Sequence, residues 1–253
     1  MRKVSFLLAV ALAVVSAGLW SCEKEEDVGS VVQDSVHDNP DPGPGPGPGP
    51  DTLTVNWVDL GLPSGLLWAE WNLGATKPEE SGNYYAWGEI QPKEVYNWSN
   101  YRYCTVDSNG NVPLTKYNTS SPGTVDNLVV LQAMDDAATA ALGNGARTPQ
   151  KAEWEELKAY TTVEWTALNG VNGLKLTSTA NGNNLFLPAV GRLHGSELVA
   201  AGSLGYYWSS TLYAGSPLYA WHFVCESSGQ YVGYFDRCDG FPVRAVRSAR
   251  SAK

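Results

Sequence analysis

The chain has 253 residues, 26 acidic and 17 basic side chains, and a net charge of −9. That length gives room for one sizeable core, and the negative balance argues against nucleic acid as a partner, because phosphates repel such a surface unless a basic patch intervenes. Ten Trp and thirteen Tyr stand against five Phe, and aromatic rings with a polar handle suit half-buried positions and exposed recognition faces.

Residues 1–21 read as a targeting segment. Arg2 and Lys3 form a charged start, and Phe6 to Val15 form an apolar run too short for a spanning helix. Leu19-Trp20-Ser21-Cys22 resembles a lipobox, in which the thiol of Cys22 becomes acylated, although Trp20 is bulky for that position. Acyl chains would tie the protein to a lipid bilayer without a transmembrane span. Cys22-Glu23-Lys24-Glu25-Glu26-Asp27 resembles the acidic export signal of Bacteroidetes lipoproteins. The expected location is therefore the outer membrane, lipid-anchored and exposed at the cell surface. Residues 22–52 continue as an acidic, Gly/Pro-rich stalk, whose Gly-Pro alternation up to Pro50 cannot build a core.

A folded domain is expected over residues 53–248. Asp59 to Trp68 reads as strand, Pro-Ser-Gly turn, strand. Asn83 to Glu89 reads as a strand or ordered loop, and Glu94 to Tyr117 as a long surface loop. The spacing of Leu128, Leu131, Met134, Ala138 and Leu142 predicts a helix stopped by Gly143. Asp135 and Asp136 read as its polar face rather than as cation ligands. Thr148-Pro149 predicts the capped start of a second helix that fades near Tyr160. Short strands follow at 173–177, 184–189, 205–210, 220–225, 230–235 and 243–247. Arg244, Arg247, Arg250 and Lys253 are basic but read as a solvated end. Two helices and a strand-rich C-terminal half predict an α+β fold.

Several segments carry a resemblance. They are Val58 to Ala69, Tyr84-Tyr85-Ala86-Trp87-Gly88-Glu89, Arg147 to Leu157, Leu185-Phe186-Leu187-Pro188-Ala189, and the block from Trp208-Ser209-Ser210-Thr211 to Val246-Arg247. In this order they resemble the Fibrobacter succinogenes major paralogous domain, which is abundant in Bacteroidetes surface lipoproteins. The resemblance implies a C-type-lectin-like domain, with a likeness to its formylglycine-generating-enzyme branch. It does not carry that chemistry over. Copper-dependent formylglycine formation needs a close pair of soft thiolates, and Cys225 and Cys238 lie thirteen residues apart. The three histidines are His37, His194 and His222, and Arg192-Leu193-His194 has no nucleophile paired with it by motif. The calcium-binding lectin motifs are broken at Gln91-Pro92-Lys93 and Trp71-Asn72-Leu73. No enzyme activity, cofactor or metal is expected.

Leu212 to Asp239 is crowded with Tyr, Ser, Gly and Asp, the residues that antibody loops use for adaptable contact. The resemblance extends to variable proteins of diversity-generating retroelements, whose variation sits near the C-terminus. Adenine-directed change of Asn codons cannot yield Lys, Glu, Gln, Met or Trp. Only Trp221, Glu226 and Gln230 of this stretch belong to that set. A paralogue whose loop has merely drifted is the competing reading. Tyr213, Ser216, Tyr219, His222, Tyr231, Tyr234 and Asp236 are the candidate ligand-binding residues of one exposed face, for an unidentified protein or glycan ligand. The rival expectation is a structural or adhesin subunit of a surface assembly.

Overall fold

The computed structural model describes residues 55–249. The expected signal segment, Cys22 and the stalk lie outside the described residues, as do Arg250 and Lys253.

The elements run β1 (Trp57–Asp59), β2 (Leu66–Ala69), β3 (Tyr84–Tyr85), α1 (Ala137–Leu142), α2 (Lys151–Ala159), β4 (Thr161–Leu168), β5 (Val171–Ser178), β6 (Asn184–Pro188), β7 (Arg192–His194), β8 (Glu197–Val199), β9 (Leu204–Leu212), β10 (Tyr219–Glu226), β11 (Gly229–Asp236), β12 (Phe241–Pro242) and β13 (Val246–Ser248). Strands take up 38% of the described residues and helices 11%. The expected α+β, C-type-lectin-like class therefore gives way to a β-rich, sandwich-like architecture. Its three-stranded sheets are β1-β2-β13, β11-β10-β9 and β4-β5-β6, and its two-stranded ones β12-β3 and β7-β8.

Two local outcomes cause the difference. The helix expected from Leu128 is confined to Ala137–Leu142. Before it, Leu131 N–H donates to Ser210 and Leu212 N–H to Val129, so this stretch runs along β9 instead. Val129-Val130 favours that choice, since branching at Cβ restricts a helical side chain. Asp136 then caps α1, accepting from Ala138 and Thr139 N–H. The second outcome is β4, which follows α2 directly and pairs with β5 over eight residues. Their turn is Asn169-Gly170, with φ of 50° and 85°, the doubly left-handed geometry that closes a tight hairpin.

Glu153, not Thr148, completes the start of α2. Gln150 N–H donates to Glu153, while the Thr148 hydroxyl donates to Asp136. Asp135 is buried as well, accepting from the hydroxyls of Tyr103 and Tyr117 and from Lys116. Neither aspartate lies on a solvated helix face.

The core forms two clusters. One packs Trp68, Trp154, Leu157, Tyr207 and Phe223 between α2 and three of the sheets; Trp154 stacks on Phe223 at 4.6 Å. The other is built around Trp87, Tyr101, Tyr117, Trp208 and Phe241. The 94–117 stretch is irregular, as expected, yet it is not merely a surface loop: Tyr96, Tyr101, Tyr103 and Tyr117 are buried.

Two buried arginines tie irregular segments to this frame. Arg244 is fully buried rather than part of a solvated tail. It donates to Asn72 and to the carbonyls of Ala69, Glu70 and Phe186, and burial lowers its pKa to about 10. Arg247 lies over Trp57 at 4.5 Å. Arg237 is also fully buried. It donates to the Tyr101 hydroxyl and to the carbonyls of Lys116, Tyr117 and Pro217.

Replacing Arg237 by Met removes these donors and strands the buried Tyr117 carbonyl and the half-buried carbonyls of Lys116 and Pro217. The expected loss is about 3–5 kcal/mol in urea denaturation. A loss below about 0.5 kcal/mol, within the scatter of ordinary surface substitutions, would show that the guanidinium is not the tie described here.

Candidate recognition face

The sheet β11-β10-β9 carries the candidate residues. β10 and β11 are antiparallel, pairing Tyr219 with Asp236, Trp221 with Tyr234, His222 with Gly233 and Val224 with Tyr231. Directly paired residues share a face and successive residues alternate between faces. Tyr231 and Tyr234 are three apart on one strand and so lie on opposite faces. The seven candidates cannot form one patch.

Four rings do assemble. Tyr213 stacks on Tyr234 at 3.9 Å with an interplanar angle of 12°. Trp221 meets both edge-on, at 5.2 and 5.8 Å, and Tyr219 lies 5.7 Å from Tyr234. The Lys151 ammonium sits 4.7 Å from the Trp221 ring centre and pairs with Glu155. Tyr234 is 48% exposed. The phenol of Tyr213 is raised above its ordinary pKa by the neighbouring Tyr234 hydroxyl. None of the four rings belongs to either core cluster. Trp221 was not among the sequence candidates, though its place two residues beyond Tyr219 on a strand was a usable signal. Lys151, on α2, had none.

The turn from Tyr213 to Tyr219 supports this quartet. Tyr213 N–H donates to Tyr219, Ser216 N–H to Tyr213, and Tyr219 N–H to Ser216. Ser216, Pro217 and Leu218 line one wall of a groove of about 420 Å³, and Asn111, Asn118 and Ser120 line the other. Ser216 thus neighbours the rings but faces a groove that Val112, Leu114 and Pro122 also line.

His222 is not a surface residue. It is buried among Tyr206, Trp208, Phe235 and Phe241, with ring centres 5.2–6.2 Å away. Gly233 opposite leaves room for it, since a Cβ there would lie 3.2 Å from the imidazole. Desolvation first, and then Arg192, depress its pKa to about 3. It cannot give a ligand the surface hydrogen bond expected of it.

Asp236 joins a different group, made of Asp239, His194 and Arg192. Burial raises its pKa, Asp239 adds to the rise, and His194 and Arg192 oppose it. Asp239 is fully buried between Arg192, which it pairs, and His194 Nδ1 at 2.9 Å. The rest of the His194 ring is open, its side chain 63% exposed. This fixes an imidazole as a catalytic base would be fixed, but among the described residues no Ser, Thr or Cys hydrogen-bonds to it. Burial pushes the nearby Cys238 thiol up, so it does not supply a thiolate.

Cys225 and Cys238 are free, buried and assigned to different core clusters. They form neither a bridge nor a paired thiolate site. Among the described residues no group of three or more His, Cys, Asp or Glu side chains converges as a metal site would require. No helix there is long and apolar enough to cross a membrane.

Searches against family models, curated proteins and solved structures gave no match to this chain.

Buried neutral His222 should leave a pH signature. Its pKa lies near 3 in the fold against 6.5 ordinarily. Below pH 6.5 the unfolded chain binds a proton that the folded one does not, so folding weakens by about 1.4 kcal/mol per unit down to about pH 3. Comparing urea midpoints at pH 7 and pH 5 should show His222→Phe losing about 2 kcal/mol less than wild type. Equal losses in both proteins would mean that His222 titrates normally.

Proposed function

We propose that this is a surface-anchored lipoprotein that binds a macromolecular or cell-surface ligand through its C-terminal sheet, without catalysing a reaction. The observation that carries the reading is the quartet Tyr213, Tyr219, Trp221 and Tyr234: stacked, partly exposed and outside both core clusters. Core packing does not account for it, and an assembly of amphipathic rings is the usual anchor of a recognition surface. The adjoining groove offers Ser and Asn side chains for orientation beside the apolar side chains of Val112, Leu114 and Leu218. The N-terminal sequence supports the anchored placement, through Cys22 and the acidic residues after it. The resemblance of the segments at 58–69, 84–89, 147–157, 185–189 and 208–247 to the major paralogous domain supports the same class.

If the segment is diversified, its frame must be narrower than residues 212–239. Ala220, His222 to Cys225 and Arg237 to Asp239 are buried, and random change there would break the core. The turn 213–219, residues 227–229, Tyr231 and Tyr234 are the positions free to vary; Trp221 and Gln230 belong to the set that adenine-directed change does not yield.

Binding by the full chain can be surveyed on a glycan array and on a panel of immobilised cell-surface proteins. Tyr213→Ala with Tyr234→Ala should weaken every interaction found by at least about tenfold, as loss of a central aromatic anchor does. The melting temperature should fall by only a few degrees. Binding that survives the double substitution, or no binding by the wild type to either panel, counts against the reading.

A further inference from the structure

The outer edge of β11 is open. Arg237 N–H donates to Leu218, and Tyr213 N–H donates to Tyr219 on the other side of β10. Backbone groups of one strand point alternately to its two neighbours. These two bonds therefore fix the parity: the odd-numbered residues of β11 turn towards β10, and Gln230, Val232 and Tyr234 turn outward. No hydrogen bond to the outward N–H or C=O of these three is formed by any described residue outside the sheet, and among the described residues β11 has no second neighbour strand. Protein edges of this kind are normally blunted by Lys, Pro, a bulge or a covering segment. Gly229 to Phe235 contains no charge and no proline, and its pairing with β10 runs without a bulge.

We propose that this edge pairs with the same edge of a second copy of the chain, in an antiparallel register centred on Val232. The sequence of the strand is complementary to itself in that register. Val232 faces its own mate, Gln230 faces Tyr234, Tyr231 faces Gly233, and Phe235 faces Gly229. Tyr231, which is 46% exposed, thereby lies opposite Gly233 of the mate, an aromatic–glycine pairing that offsets the weakness of glycine in a strand. Charge is compatible as well. Asp236, the only ionisable carboxylate of the strand, falls opposite Ser228, so the acidic chain does not oppose itself at the seam. The outward parity of Val232 requires hydrogen-bonded pairs at even positions on both strands, and this register provides them. The product is a two-fold, six-stranded sheet carrying two copies of the aromatic quartet. The proposal stands apart from the ligand reading, since it rests on the backbone edge, with Tyr234 the single quartet ring that falls opposite a residue of the mate.

Sedimentation equilibrium of the full chain should show a dimer. Val232→Pro removes an outward N–H and leaves the β10 ladder whole, so it should weaken association at least about tenfold with an unchanged near-ultraviolet circular dichroism spectrum. Under mild oxidation Val232→Cys should give a covalent dimer, because it meets its own mate within the span a disulfide accepts. Gln230→Cys, facing Tyr234, should give much less. A wild-type chain that stays monomeric overturns the proposal and leaves the edge to an extended segment of another protein. A dimer that Val232→Pro does not weaken, or one cross-linked equally by both cysteines, overturns it too.

Discussion

A guanidinium without a carboxylate governs much of this molecule. Arg237 is enclosed by the rings of Trp87, Tyr101 and Tyr117 at 4.8–5.9 Å and by three backbone carbonyls. A buried charge costs several kcal/mol unless its surroundings replace water closely. Arginine suits such a place because its planar donors reach several oxygens while its face meets aromatic rings. The carbonyls belong to the 94–117 stretch and to the turn between β9 and β10. One side chain thus pulls an irregular segment and the support of the aromatic quartet onto the same core.

That arrangement also explains the excess of tyrosine over phenylalanine. Long irregular segments bury backbone groups that no helix or sheet satisfies, and each needs a partner. Tyrosine hydroxyls provide them: Tyr84 donates to Val190, Tyr96 to Tyr84, Tyr101 to Trp87 and Tyr207 to Pro188. Most of the tyrosine that composition alone would assign to a recognition surface is structural. Of the remainder, Tyr213, Tyr219 and Tyr234 gather at one corner of β9-β10-β11, where rings already packed together need little ordering on contact, while Tyr160 and Tyr231 are exposed elsewhere.

The sequence was legible where chemistry is local. The Pro-Ser-Gly turn after β1, the strands β9 to β11 and the second helix all follow short-range signals that packing did not override. Asn169-Gly170 is an equally local turn signal, and the run Thr161 to Leu168 before it, β4, adds strand content that the α+β expectation leaves out. The first helix failed for a different reason. Its apolar spacing was real, but bonds from residues 129–131 to the edge of β9 replaced helical ones, a competition visible only in three dimensions. The candidate face was half legible. Tyrosines near the C-terminus pointed to it, but composition carries no parity, so His222 and Tyr231 were grouped with residues on the other side of their sheet. Buried Arg237 and Arg244 carried no signal, since an arginine near a terminus looks solvated until its carbonyl partners are known.

The three thiols among the described residues set a condition on how the chain reaches this state. Cys104, Cys225 and Cys238 are unbridged, and the last two are sealed from solvent. In an oxidising medium the native protein resists mispairing because an inaccessible thiol with a raised pKa is a poor nucleophile. The nascent chain has no such protection. Its yield depends on closing both core clusters faster than oxidants reach the sulfurs, so a substitution that slows folding would accumulate cross-linked by-products even if the finished fold were equally stable.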